Sequence, residues 1–357
     1  MLVSIVIPAF RSASYIARAL DSVFVQTFRN HEVLVVNDGS PDTDVLERVL
    51  QRYQERIHYI KQDNCGPSAA RNTGIRQAKG DYVAFLDSDD VWFSDHLAKH
   101  VAMLHNNRVL GLVYSDSILM REEGLVGTAF GQQPQHPPVS FESLLVEDCA
   151  VITSSVVASR AAIIDAGLFD EQFSRCEDFD LWLRMAFSGM RMDFCGEPTL
   201  YHRISNDGLS SNHYLMKRAL IDVYKKIAST LPLSSHQQHL IEQCICRTDA
   251  ACHLELLKQH LASAEYALAL QAGERAQNLV RRPKLKLAIL GLKLAPHLAR
   301  CCYQGYERWL SFRNRVRIAR SARNLKRLLP RAELTFSEPK FANVREDSVE
   351  QTIHASE

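Results

Sequence analysis

Tyr82-Val83-Ala84-Phe85-Leu86-Asp87-Ser88-Asp89-Asp90 is the stretch that decides the fold. An unbroken apolar run of this length predicts a strand covered on both sides, as in a parallel sheet packed between helices. The run ends abruptly in acids. In an extended chain, residues i and i+2 project to the same side, so Asp87 and Asp89 present two carboxylates to one place. Hard oxygen ligands of this kind suit Mg²⁺ or Mn²⁺, often completed by substrate phosphates. The competing reading is an acidic turn that caps the next helix.

The same pattern repeats on both sides of this stretch. Val3–Ile7, Glu32–Val36, Ile57–Ile60 and Leu112–Tyr114 are short apolar runs and are expected to be strands. Tyr15–Phe24, Val45–Tyr53, Ser68–Ala78 and Ser94–His105 carry helical spacing between them. Strands alternating with helices predict an α/β chain with a mostly parallel open sheet and helices on both faces. The polar clusters Pro8-Ala9-Phe10 and Asn37-Asp38-Gly39 then share the carboxyl edge with Asp87 and Asp89, where ligands bind in such sheets. Further on, residues 124–140 are expected to form a loop. Ser154–Ala158, Met190–Phe194 and Thr199–Ile204 are expected as strands, Arg160–Ala166 and Asp178–Phe187 as helices. Residues 214–331 are expected to form an α-helical C-terminal extension, and 332–357 a polar, disordered tail.

The chain has 357 residues, 46% hydrophobic and 23% charged, which is ordinary for a globular protein and excludes a fibrous or wholly disordered one. A net charge of +1 excludes a globally basic nucleic-acid binder, and no nucleic-acid partner is expected. The charge is unevenly placed. Residues 281–331 hold 15 Lys/Arg against the single acid Glu307, residues 332–357 carry −4, and residues 1–280 carry −9. No run of 18 apolar residues and no secretory signal is seen, so a cytoplasmic protein is expected. The nine scattered cysteines are then expected as reduced thiols. In 281–331, Arg281-Arg282-Pro283-Lys284 leads into Leu285, Leu287, Ile289, Leu290, Leu292 and Leu294, with Trp309, Leu310 and Phe312 farther on among Arg residues, a pattern that suits peripheral contact with the inner face of a membrane. A solvated extension packed on the core or on another subunit would look the same.

Three other constellations could carry chemistry. Asp38 closes the run Val33–Val36 and suits either a base or ribose contact or an Asx-turn. Gly66-Pro67-Ser68-Ala69-Ala70-Arg71-Asn72-Thr73-Gly74 opens a helix with small residues, and Arg71 could reach a diphosphate or remain solvated. Glu177, Asp178 and Asp180 precede an apolar helical run. They suit a general base, or acids favoured by the helix dipole.

Taken together and in order, these segments resemble the family 2 inverting glycosyltransferases, which have a GT-A fold. The matching segments are Ser4–Phe10, Val36–Ser40, Gly66–Gly74, Phe85–Asp90, Gly167-Leu168-Phe169-Asp170-Glu171 and Glu177–Arg184. The resemblance covers residues 1–213, the expected catalytic domain. It implies transfer of a sugar from a nucleoside-diphosphate sugar, UDP-linked, to a hydroxyl of a glycan or lipid-linked acceptor. It places Pro8, Ala9, Phe10, Asp38, Arg71, Asp87 and Ser88 at the donor, with Asp38 on the base. Asp87 and Asp89 would hold a divalent cation, Mg²⁺ or Mn²⁺. Asp178, preceded by Glu177, would be the catalytic base, and Trp182 would pack its helix. The alternative is a catalytically inactive GT-A protein that binds or scaffolds at the membrane surface. Two departures from the family stand out. Arg11 stands where Asn is common, and Ser205 stands where a metal- or diphosphate-binding His is common. His202, three residues earlier, is expected to face elsewhere.

Overall fold

The computed structural model describes residues 1–147, 149, 151–205, 208, 211–310 and 313. The chain opens as strand β1 (Val3–Ala9), helix α1 (Ile16–Phe24), β2 (His31–Asp38), α2 (Thr43–Leu50), β3 (His58–Gln62), α3 (Gly66–Gln77) and β4 (Tyr82–Phe85). All four strands are parallel, in the order β3-β2-β1-β4. The reason lies in the runs themselves. Val3, Ile5, Val6 and Ile7 of β1 and Val33–Val36 of β2 are buried on both faces. Such strands need helical crossovers rather than tight hairpins. Gly74 lets α3 lie on the sheet: a Cβ there would come within 2.4 Å of Val6 Cγ1.

Beyond β4 the sheet becomes mixed. The elements are β5 (Val91–Trp92), α4 (His96–Asn106), β6 (Leu110–Arg121), β7 (Gly124–Thr128), α5 (Ala129–Gln132), α6 (Phe141–Leu145), β8 (Val157–Ser159), α7 (Arg160–Asp165), α8 (Glu177–Phe187) and β9 (Arg191–Arg203). The order continues β4-β8-β6-β9-β5, with β7 on β6. β8 runs antiparallel to both neighbours, and β9 runs parallel to β6. The parallel character inferred from sequence therefore describes the N-terminal half.

Local expectations shift in the same region. The strand expected at Leu112–Tyr114 extends to Arg121, because its polar residues find partners: Asp116 Oδ1 accepts from the amides of Ser117 and Phe130. The expected loop at 124–140 contains β7, which pairs back onto β6 and has Gly124 and Gly127 at positive φ. The two strands expected between Met190 and Ile204 are one, with Pro198 accommodated where the β6–β9 register shifts. Residues expected to begin a strand at Ser154 form a 3₁₀ turn, Thr153–Ser155, before β8.

Helices α9 (His213–Thr230), α10 (Ser235–Ala262), α11 (Tyr266–Val280) and α12 (Pro283–Leu294) follow, and residues 296–310 are helical. Val223, Tyr224, Ile227, Ile241 and Cys244 share one apolar cluster with Phe85, Trp182 and Leu181. Helix α9 and the start of α10 thus complete the core behind the sheet. Leu261, Ala269 and Leu292 form a separate cluster farther along. The expected tail at 332–357 lies outside the described residues.

Candidate active site

Because β1, β2 and β4 are parallel, their carboxyl ends share one edge, which gathers Phe10, Asp38 and Asp87. Pro8 is partly covered, Ala9 is buried, and Phe10 stands exposed past the strand end with the Arg11 guanidinium 5.6 Å from its ring centre. Asp38 is buried. Its Oδ1 accepts from Gln62 Nε2 (2.8 Å) and the Cys65 amide (2.9 Å), and its Oδ2 accepts from the Gly66 amide (2.8 Å). Asp38 therefore ties the end of β2 to the start of α3. A base contact would have to use a remaining lone pair of an oxygen already engaged.

Arg71 sits inside the site rather than at its surface. Nη2 donates to Asp87 Oδ1 (2.8 Å) and Nη1 to Glu177 Oε1 (2.7 Å), and the side chain is almost fully buried. The small residues around it on α3 make room for this placement. Burial raises the Glu177 pKa, and Arg71 offsets only part of that cost. The bridge connects the acidic strand end to the first turn of α8, and Arg71 reaches Glu177 across 106 residues of sequence.

Asp178 follows Glu177 on that turn. Thr153 Oγ1 donates to its Oδ2 at 2.7 Å, and the Phe179 amide donates to its Oδ1. The neighbouring Ser154 Oγ accepts from the Asp87 amide (3.0 Å), and the Ser154 carbonyl accepts from Trp92 Nε1 (2.7 Å). Thus one buried 3₁₀ turn braces both acidic motifs. Trp182 packs against Phe85 and Phe169 as expected and does not face the crevice. Asn72 exchanges two hydrogen bonds with the Phe169 backbone, and Arg184 donates to the Leu168 carbonyl and to Asp180. The Gly167–Glu171 segment is thereby held to α3 and α8.

Ser88 and Asp89 are partly covered, whereas Asp90 is fully buried. His202 corrects the sequence reading. Its Nδ1 donates to Asp90 Oδ2 (2.9 Å), and the Arg203 amide donates to Asp90 Oδ1 (2.8 Å). It faces the acidic cluster because β9 and β5 pair antiparallel there, bringing Tyr201 opposite Val91. Burial alone would lower the His202 pKa, but Asp90, and then Asp87 and Asp89, hold it up at about 9. Asp89 is shifted upward as well. Burial beside Asp90 and Asp87 raises its pKa to about 7.

That crowding is the observation that fits a cation. Asp87 and Asp89 are hard oxygen donors, and among the described residues the charges of His202 and Arg203 offset only part of the crowding at Asp89. Among the described residues no cluster of three or more His, Cys, Asp or Glu is arranged as a metal cage. The residues fit an ion held by Asp87 and Asp89 and completed by phosphate oxygens and water. Thr153, Ser154 and His202 were not legible as site residues; only the polar Ser/Thr run before β8 and the His202-Arg203 pair at the end of β9 hinted at them.

Residues 4–133 match the family model described as "Glycosyl transferase family 2". The putative teichuronic acid biosynthesis glycosyltransferase TuaG of Bacillus subtilis (strain 168) is 30% identical over 234 residues, 63% of this chain and 88% of TuaG. The UDP-Glc:alpha-D-GlcNAc-diphosphoundecaprenol beta-1,3-glucosyltransferase WfgD of Escherichia coli is 29% identical over 215 residues, 60% of this chain and 81% of WfgD. Against the uncharacterized glycosyltransferases of Rickettsia species, the matched region spans 27% to 58% of the relative's length. The mannosyltransferase PcManGT from Pyrobaculum calidifontis, solved with GDP-Man and Mn²⁺, superposes with a TM-score of 0.56 at 18% identity, covering 90% of this chain and 86% of that one. With the strand-end acids, the α3 motif and the α8 acids assembled on one edge of this sheet, the chain belongs to the family 2 glycosyltransferases.

Proposed function

We propose that this chain transfers a sugar from a UDP-linked donor to a hydroxyl of a lipid-linked sugar, with inversion, in cell-envelope polysaccharide synthesis. The observation that carries the reading is the Asp87–Arg71–Glu177 bridge, which holds the donor-side acids and the base helix at one crevice. The names of TuaG and WfgD support the polysaccharide setting, and that of WfgD the UDP donor and lipid-linked acceptor.

In this reading Phe10 offers an aromatic face to the nucleoside, and Asp38 keeps the loop before α3 in place beneath it. Asp87 and Asp89 would hold a divalent cation, which when bound neutralises charge on the leaving diphosphate. Asp178 accepts the proton of the acceptor hydroxyl as that oxygen attacks the anomeric carbon. The bond from that carbon to the phosphate oxygen breaks, and its electron pair leaves with the nucleoside diphosphate. One displacement inverts the configuration.

The test pairs UDP-glucose and other UDP-sugars with an N-acetylglucosamine-diphosphate lipid and reads the product's anomeric configuration by NMR. An inverted linkage, lost in Asp178→Asn while calorimetry shows UDP affinity retained, supports the reading. A retained configuration, or equal loss of UDP binding in Asp178→Asn, overturns the assignment of the base.

A further inference from the structure

Helix α12 has two apolar faces, and among the described residues only one is covered. Ile289 and Leu292 are buried: Ile289 lies against Gly273 of α11, and Leu292 packs with Leu261 and Ala269. The other face carries Leu287, Leu290 and Leu294, continued by Leu298, with exposures of 68%, 50%, 77% and 64%. Leu287, Leu290 and Leu294 recur every three or four residues and line one side of α12, and past the break at Ala295 the helix at 296–310 carries the exposed Leu298. Tyr306 and Trp309, stacked at 6.0 Å and both about half exposed, extend the row, and Arg313 lies 4.8 Å from the Trp309 ring centre. A row of this kind is larger than the scattered surface leucines of an ordinary monomer.

Charge indicates what covers it. Residues 281–313 contain eight Lys/Arg and one acid, Glu307. Lys284 and Lys286 precede Leu287 and stand in solvent, and among the described residues neither forms an ion pair, whereas Lys293 is tied to Glu274 at 2.6 Å. A second copy of this chain would bring the same positive charge to the contact. An anionic bilayer offers apolar depth for the leucines and Trp309, and phosphate for the bases.

We infer that the outward face of α12 and of the helix at 296–310 is a docking surface for an anionic phospholipid membrane, on which the protein lies without crossing it. No helix among the described residues is long and apolar enough to span a bilayer. The inference deepens the lipid-linked reading of the acceptor, but its test uses no substrate, so either can fail alone.

The experiment mixes the full chain with vesicles of phosphatidylglycerol and phosphatidylcholine, or of phosphatidylcholine alone, at low and high salt. Trp92 and Trp182 are only 2% and 1% exposed, so a blue shift of tryptophan emission reports Trp309, and Trp309→Phe removes it. The expected result is sedimentation with anionic vesicles, weakened by salt, together with the blue shift. Replacing Leu287, Leu290, Leu294 and Leu298 by Ser is expected to weaken binding about tenfold or more, with an unchanged melting temperature because all four are exposed. Lys284→Glu with Lys286→Glu is expected to weaken binding to anionic vesicles and to flatten the salt dependence. Three outcomes overturn the inference. The first is a full chain that stays in the supernatant with anionic vesicles at low salt, and the second is a four-Ser variant that binds as well as the wild type. The third is a wild-type dimer that the four-Ser variant converts to monomer while neither binds vesicles, which marks the face as a contact between copies.

Discussion

Thr153 donates a hydrogen bond to Asp178 Oδ2 at 2.7 Å, and Ser154 beside it accepts from the Asp87 amide. The turn between α6 and β8 therefore sets the orientation of the proposed base relative to the strand-end acids. A hydrogen bond to a charged group contributes about 1.5–3 kcal/mol. Thr153→Val should lower kcat roughly 10- to 100-fold with UDP affinity unchanged, and Thr153→Ser should recover most of it. Steady-state kinetics beside UDP calorimetry checks this; equal rates for Val and Thr would remove Thr153 from the positioning of Asp178.

Arg71 is buried between Asp87 and Glu177, and the two carboxylates share its single positive charge. Removing one partner of a buried ionic cluster leaves uncompensated charge and costs about 3–5 kcal/mol. Arg71→Met should lower the unfolding free energy by that amount. Adding Glu177→Gln to it should restore a measurable part, because one orphaned carboxylate is then neutral. Denaturant titration of the single and double variants decides, and strict additivity would show that the two side chains are not energetically coupled.

Asp89 is proposed to hold the cation on the leaving diphosphate, and its crowding by Asp87 and Asp90 is what makes a cation favourable there. Asp89→Asn should cut turnover by several orders of magnitude in saturating Mn²⁺ while the circular dichroism spectrum stays that of the wild type. Wild-type activity in that variant would remove Asp89 from the reaction.

His96 and His100 lie fully buried on α4 with ring centres 4.2 Å apart and tilted to each other, and His96 is stacked on Trp92. Burial lowers both pKa values. For His96 the charges of His100 and Lys99 add to the effect. For His100 burial outweighs the bonds to the His96 and Ser155 carbonyls and the pull of Asp95, leaving a pKa of about 4. A lowered pKa means that the unfolded chain binds protons the native one refuses. Stability is therefore intact above the ordinary histidine value of 6.5 and falls as pH drops toward about 4. The slope is roughly 1.4 kcal/mol per pH unit for each histidine. His100→Phe should shallow the loss between pH 6.5 and 4 measured by denaturant titration; an unchanged slope would assign the acid sensitivity elsewhere.

The sequence by itself determined the strands of the parallel half and the residues at their ends. Unbroken runs such as Val33–Val36 must be covered on both faces, and the small residues of α3 allow its close approach to β1. Asp87, Asp89, Glu177 and Asp178 were legible for the same reason: acids that end an apolar run, or open an apolar helix, stand out locally. What lies beyond β4 was decided by tertiary structure. A short apolar run states that a strand exists, not its direction or neighbour, so neither the antiparallel β8 nor the single long β9 could be read from the runs. His202 meets Asp90 across 112 residues, and Thr153 meets Asp178 only because a turn and a helix start pack together. Arg71 looked like a surface cation that could reach a diphosphate; folding placed it between two carboxylates, since a charge at that depth requires partners that no local pattern records.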